Sequence, residues 1–540
     1  MRKAFPTLGS FGRTLTHERI GVRMEQARQE KNSLTVLLTL ALLVRIYMAF
    51  QTPVIAKDGT VYVQNAIYLS VGNIEQGLVG YPPGYPLLIA LAYRMIGNGE
   101  LAGQAVSVLF GSLSILPFFF LTKDIFGRQI AWIASFLFLF QPFLVQHSGE
   151  VMSESVYIFF FISTTYAAWR ALRYKKTRSY LAVGILSALA YLTRPEGVGL
   201  LIAFVAWLPF HLWIQRTRLS PRMAGQLLCT VLIFAILAAP YLVHVRKMTG
   251  EWRLNAKRSM IVDSGLRSAI EKEPEPGLSE KQSSGFETKA VQPPRSEPYP
   301  GWVETDTLLE FFARYLKTLF LSIVKFTAIF HQFLFAFLIY FMFKRKYFSY
   351  HYEGELFLNF LAILCFLGIA LLYVSGRHLL QIVPLYLPWA AAGLIELSMS
   401  SLVLNVTTSF KRYGWRGSSR SLLVLLTFFI LLPKTLAPHR TDKLILREAA
   451  EWIRSREIAS PLILSTDSRV AYYTPGRHMF LADFGEIVSV ARTNKPDFIV
   501  IEKDASEEIP AEALQGVKEV FQTQSRDGSY VVTVYVLVPT

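Results

Sequence analysis

Five short stretches carry acids or bases where apolar runs end. Asp58 lies in AKDGTVYVQNA. Glu150 and Glu154 lie in HSGEVMSES, with His147 beside them. Arg194 and Glu196 lie in YLTRPEGVG, and Arg377 and His378 in VSGRHLLQIVPLYLP. Lys247, Arg253, Lys257 and Arg258 lie in VRKMTGEWRLNAKRS. A carboxylate can take a proton from a reacting group, and an arginine can hold an anion through a forked pair of N–H donors. Each stretch abuts a long apolar run, and ionisable groups at membrane depth are expensive and usually functional. Each also has a plainer reading. Asp58 would suit a helix N-cap, and Glu154 a cap or a solvated position. Arg194 and Arg377 would suit lipid-headgroup contact. YPPGYP, which contributes Tyr81, Pro82 and Pro83, would suit a helix start, and His147 a structural role. Their joint placement carries the argument.

The elements that must position these groups are membrane helices. The chain has 540 residues, 52% hydrophobic and only 17% charged. A water-soluble chain carries about a quarter charged residues, so a string of soluble domains is excluded, as is a disordered or disulfide-stapled protein. Cys229 and Cys365 both lie in apolar runs and read as small buried hydrophobes. The net charge of +16 would suit nucleic acid, but the basic residues cluster in short loops between apolar runs. Apolar runs near 33–50, 100–122, 130–146, 154–170, 180–193, 197–215, 224–244, 320–343, 355–374, 378–398 and 421–436 are the expected spans.

Residues 1–32 are polar and basic, and the first span reads as a signal anchor with the N-terminus in the cytoplasm. Alternate loops then carry Lys123 and Arg128; Arg170, Arg173, Lys175, Lys176 and Arg178; Arg216, Arg218 and Arg222; Lys344 to Lys346; and Lys411, Arg412, Arg416 and Arg420. The short loops on the opposite side hold almost nothing basic, only Lys57, Arg194 and Arg377, which leaves the C-terminus outside. The membrane part runs from 33 to 436, with outer loops at 51–99 and 245–319. Pro86 to Ile96 is too short to span and reads as an interfacial helix. The stretch 264–300, with six prolines, reads as flexible. The tail, 437–540, shows helical periodicity at 444–456 and strand-like runs at 462–464, 498–501 and 531–538, as in a small α/β domain.

In this order, Asp58 with Tyr62, then YPPGYPLLIAL, GEVMSESVYIFFF, YLTRPEG, TGEWRLNAKRS and GRHLLQIVPLYLP, the chain resembles the polytopic glycosyltransferases that use lipid-phosphate sugars. That GT-C group includes protein mannosyltransferases and the lipid A aminoarabinose transferase. The resemblance covers roughly residues 33–400. It departs at Asp58-Gly59, where many members carry Asp-Glu, so a second acid must come from elsewhere, with Glu150 and Glu154 the nearest in kind.

The resemblance implies a polyprenyl-phosphate sugar donor and a glycan, lipid or protein acceptor at the outer face of a bacterial inner membrane. It also implies inversion at the anomeric carbon. Asp58 would be the base, joined by Glu150 or Glu154 as further acids. Arg194, Arg377, Lys257 and Arg258 would hold the departing phosphate. Tyr62, Tyr81, Pro82, Pro83, His147, Glu196 and His378 would line the site. No cofactor is required, although Asp58 with Glu150 or Glu154 could take a divalent cation. No nucleotide-binding loop is present. A transporter or flippase would use similar charges, but no inverted repeat is visible. A glycan ligase or polymerase would share the chemistry but not this order of motifs.

Overall fold

The structure, a computed structural model, describes residues 9–254, 308–344, 351–371, 376–412, 417–481 and 484–538. Lys257 and Arg258, and the stretch 264–300, lie outside the described residues.

Every expected apolar run is helical over most of its described residues. Among the described residues, seven helical segments are long and apolar enough to cross a membrane: Met24–Phe50, Gly99–Phe126, Pro195–Ile214, Pro221–Thr249, Tyr352–Ala370, Gly376–Ser398 and Ser419–Arg454, the last being helix Ser419–Leu436 followed by the first residues and first helix of the tail. The other expected spans depart in instructive ways. The run at 130–146 divides into Arg128–Leu139 and Pro142–Gln146, because Pro142 supplies no amide hydrogen to continue the first helix. The run at 320–343 was expected to be one straight span. Instead Leu308–Phe330 and Gln332–Lys344 meet at 107°, with His331 at a φ of 76° between them. Counted as one bent span, the pair raises the number to eight. The helices α9 (Glu154–Tyr174) and α10 (Thr177–Thr193) fall outside the seven; α10, with 17 residues, is about 25 Å long.

Large aromatic and aliphatic side chains fill the membrane part. Phe118 stacks on Phe138, and Trp207 lies against Phe357 and Phe360. Cys365 is half-buried, and Cys229 is exposed rather than buried, on the long helix α12 (Pro221–Thr249).

Between the first two spans the chain folds over one end of this bundle. Helix α2 (Lys57–Ser70) and helix α4 (Gly84–Ile96) pack together around Tyr62, Tyr85 and Ile89. The expected interfacial helix is α4, which ends at Gly97 in the left-handed conformation.

The tail is a five-stranded sheet in the order β2-β1-β3-β5-β4. Strand β1 (Leu462–Ser465) runs parallel to both β2 (Arg477–Phe480) and β3 (Phe498–Asp504). Strand β5 (Tyr530–Leu537) pairs antiparallel with β3 and with β4 (Val517–Gln524). Helix Leu444–Arg454 buries Ile445, Leu446, Ala449 and Ile453 on one face of the sheet. Helix Ile487–Asn494 buries Ile487 and Ala491 on the other. The helix and three strands expected from periodicity are present; β2 and β4 are additional.

Candidate active site

Asp58 sits in the first turn of α2. It is not the N-cap, which is Ala56. Its carboxylate points into a cluster assembled from four parts of the chain. Oδ1 accepts a hydrogen bond from the Tyr81 hydroxyl at 2.7 Å, and Oδ2 accepts one from Arg377 Nη1 at 2.6 Å. Arg377 Nε lies 4.0 Å from Glu154 Oε1. The same oxygen accepts from Arg194 Nη1 at 2.6 Å, and Arg194 Nη2 donates to Glu196 at 3.1 Å. The result is a chain of alternating charge, Asp58–Arg377–Glu154–Arg194–Glu196. His378 stands beside Glu196.

Local sequence explains the approach. Pro195 cannot extend α10, so the chain leaves the helix at Arg194 in extended conformation and the guanidinium turns inward. Gly84 packs on the backbone end of α10: a Cβ there would lie 2.7 Å from the Leu192 carbonyl oxygen. YPPG thus lets α4 meet the turn that carries Arg194. At Gly59 a Cβ would lie 2.8 Å from the Val151 carbonyl oxygen. The glycine beside Asp58 therefore admits the backbone of the loop carrying Glu150 and Glu154.

Tyr62 and Tyr81 pack with ring centroids 4.5 Å apart, and the Tyr62 hydroxyl bonds Ser153 at 3.1 Å, next to Glu154. Burial, with Asp58 next, pushes the Tyr81 phenol well above its ordinary range, so it stays protonated and donates. Pro82 and Pro83 form the buried turn before α4. Glu154, Tyr157, Arg194, Glu196, Arg377, His378 and Gln381 line one narrow cleft.

Glu150 and His147 lie elsewhere. Glu150 is fully buried and faces the start of the tail. Arg440 donates to Oε2 from Nη2 at 2.7 Å and from Nε at 3.1 Å, His439 Nε2 lies 2.5 Å from Oε1, and His147 Nδ1 is 3.6 Å from it. Burial alone would raise the Glu150 carboxyl. His147, His439 and Arg440 more than offset that and hold it below the usual carboxylate range. This carboxylate closes a clasp between its loop and the start of the tail.

The tail also grips the loop that carries Asp58. Lys57 Nζ donates to the Thr466 carbonyl at 3.2 Å, the Thr60 and Ser468 hydroxyls are 3.0 Å apart, and the Ile55 amide donates to the Tyr473 hydroxyl at 2.7 Å. Sequence reasoning missed Gln381, Ser153, His439, Arg440 and Tyr473. Only His439-Arg440, a basic pair just beyond the last span, carried a local signal. Among the described residues, no group of three or more His, Cys, Asp or Glu is placed to hold a metal ion.

The helical membrane bundle, the ion-paired cleft at one end and the small α/β domain docked beside it have the fold of solved polytopic glycosyltransferases. Residues 81–244 match the model of the family described as dolichyl-phosphate-mannose-protein mannosyltransferase. In overall fold the chain is similar to ArnT from Cupriavidus metallidurans bound to undecaprenyl phosphate, at a TM-score of 0.57 and 13% identity over 93% of this chain and 98% of that one. It is also similar to the Archaeoglobus fulgidus oligosaccharyltransferase with Zn and sulfate, at 0.52 and 14% identity over 93% of this chain and 74% of that one. The oligosaccharyltransferase AglB from Archaeoglobus fulgidus, solved with an inhibitory peptide and a dolichol-phosphate, gives 0.51 and 13% over the same shares. No curated protein matches the chain in sequence.

Proposed function

We propose that this protein moves a sugar from a polyprenyl-phosphate donor to an acceptor at the outer face of a bacterial inner membrane, with inversion at the anomeric carbon. The observation that carries the reading is the meeting of Asp58 and Arg377 at 2.6 Å inside one cluster with Glu154 and Arg194. The bound lipids of similar folds support the donor class: undecaprenyl phosphate in ArnT and dolichol-phosphate in the archaeal enzyme.

In this reading the donor phosphate takes Arg377 and Arg194 as its cationic partners. Drawing Arg377 onto phosphate loosens its bond to Asp58 and frees the carboxylate to act as base. Tyr81 keeps that carboxylate aimed. The acceptor hydroxyl or amine gives its proton to Asp58 as its oxygen or nitrogen bonds to the anomeric carbon. The bond from that carbon to phosphate oxygen breaks on the opposite face, and polyprenyl phosphate departs with the electron pair. Fixed cations aimed at that oxygen stabilise the charge as it builds. Glu154 serves as the second acid, holding both arginines in place. The tail borders the acceptor.

The test is direct. The purified full-length chain, with a pool of undecaprenyl-phosphate sugars and a membrane extract as acceptor, should release undecaprenyl phosphate. Glycans or glycolipids from cells lacking the protein should lose one sugar by mass spectrometry. Failure of both would overturn the reading.

A further inference from the structure

Resting on that functional reading, we propose that Tyr473 of the tail is a positioning residue for Asp58: the tail holds the backbone from which the base projects, while the membrane part holds its carboxylate. The division shows in the bonds. Asp58 itself is bonded by Tyr81 and Arg377. The residues on either side of it are tied to the tail. Arg447 Nη1 donates to the Pro53 carbonyl at 3.0 Å, and the Ile55 amide donates to the Tyr473 hydroxyl at 2.7 Å. Beyond them Lys57 reaches the Thr466 carbonyl, and Thr60 meets Ser468.

Tyr473 ends the helix Ser468–Tyr473, and its hydroxyl also donates to Glu100 Oε1 at 3.2 Å, on the first turn of helix Gly99–Leu113. One oxygen thus ties together the tail, the approach to α2 and the second span. Burial, with Glu100 next, pushes the phenol above its ordinary range, so it keeps its proton for Glu100 and offers a lone pair to Ile55. Helix α2 needs such a fixture. Its N-cap, Ala56, supplies no side-chain bond, so the turn that aims Asp58 is set from outside the helix.

The architecture of the tail points the same way. Strand β1 lies between β2 and β3, both parallel to it, so the strand order reverses there. Open α/β sheets take their ligands in the crevice beyond the carboxyl ends of the strands at such a reversal. Here that crevice receives Lys57. Its ammonium bonds the Thr466 carbonyl just past β1 and lies 5.6 Å from the centre of the Phe480 ring at the end of β2. The neighbour of Asp58 stands where a ligand would, so the fold of the tail fixes where α2 begins. A misplacement of about 1 Å can cost about a hundredfold in rate. Loosening the grip therefore acts on turnover before it acts on donor binding, whose arginines are carried by other segments.

The test uses the full-length chain in nanodiscs, with the same pool of undecaprenyl-phosphate sugars and the same acceptor extract. Tyr473→Phe removes one oxygen. It should lower kcat about tenfold or more and leave KM for the donor within about threefold. Added to Asp58→Asn, it should lower turnover less than about twofold further, because a residue that acts through Asp58 has nothing left to position. Amide exchange across 55–63 should rise in Tyr473→Phe without any donor present. Ser468→Ala, which removes a second bond of the grip, should act in the same direction and more weakly. Unchanged kcat or unchanged exchange in Tyr473→Phe would overturn the positioning role. So would a loss that multiplies with that of Asp58→Asn, the mark of a general weakening of the fold, or one confined to KM for the acceptor, which would make Tyr473 part of an acceptor surface. Failure of the unaltered protein to release undecaprenyl phosphate would instead strike the functional reading, and the role in turnover with it.

Discussion

Arg377 donates from Nη1 to Oδ2 of Asp58 at 2.6 Å, joining residues 319 positions apart. One lies just beyond the first span and the other at the start of a late one. The pair therefore exists only when the membrane bundle is assembled, and it brings a proton acceptor within reach of a fixed cation. The second carboxylate oxygen is held by Tyr81, so Asp58 is aimed before any substrate arrives.

Asp58→Asn tests the base. The amide keeps the size of the side chain and can still accept from Tyr81 or Arg377, but it cannot take a proton. Folding and membrane yield should hold, while turnover of undecaprenyl-phosphate sugar should fall by about a hundredfold or more. Near-normal turnover would remove Asp58 from the reaction and move the search to Glu154.

Arg377→Ala and Arg194→Ala test the phosphate site. Each should weaken donor use by about 1–3 kcal/mol, the scale of a lost charged hydrogen bond. Lysine at either position should recover part of the loss, because it restores charge but not the two-donor fork. Arg194 also bridges Glu154 and Glu196, so its alanine variant should lose more. Unchanged donor binding and turnover in both alanine variants would make these arginines structural.

Much of the fold and part of the site were legible in the sequence because their causes are local. The apolar runs, the α4 segment after YPPG and the periodic tail helix follow from composition and spacing. Asp58, Glu154, Arg194, Glu196, Arg377 and His378 stood out as charges where apolar runs end, and the structure brings them together. The rest depends on partners far away in the chain. The 107° bend at His331 has no proline or glycine to announce it. Strand β2 is four residues long, and β4 reads VKEVFQTQ, whose charges obscure its alternation. Glu150 looked like Glu154 in sequence, yet its partner Arg440 lies 290 positions away and draws it to a different task.

The basic loops predict an orientation, and labelling can read it. In a background with Cys229 and Cys365 replaced by serine, Ser455→Cys and Lys495→Cys lie at exposed positions of the tail, and Lys175→Cys lies at an exposed position between α9 and α10. A membrane-impermeant maleimide added to intact spheroplasts should modify the first two and spare the third until the membrane is permeabilised. Labelling of Lys175→Cys in intact spheroplasts would reverse the topology and place the cleft on the cytoplasmic face.

The Glu150 clasp predicts how the tail comes loose. The clasp joins the loop before α9 to the first residues after the last span, and His439 also donates its backbone amide to the Gln51 carbonyl at 3.0 Å. Removing one partner of a buried pair leaves the other charge uncompensated, so Glu150→Ala should cost about 3–5 kcal/mol. Because that loop carries Ser153 and Glu154, donor use should decline as a consequence. The pH dependence has a definite sign. Burial lowers His147 from its ordinary 6.5, so the fold favours its neutral form, and that stability is complete above 6.5 and lost as pH falls below it. Glu150 is held below its ordinary 4.5, so its share is complete above 4.5 and lost at lower pH still. Resistance of the junction at 437–443 to limited proteolysis should therefore be level from pH 7 to 9, begin to decline below about 6.5 and drop again below about 4.5. In Glu150→Ala the second drop should vanish. A junction equally resistant at pH 4 and pH 8, or a variant indistinguishable from the unaltered protein, would show that the clasp does not hold the tail in place.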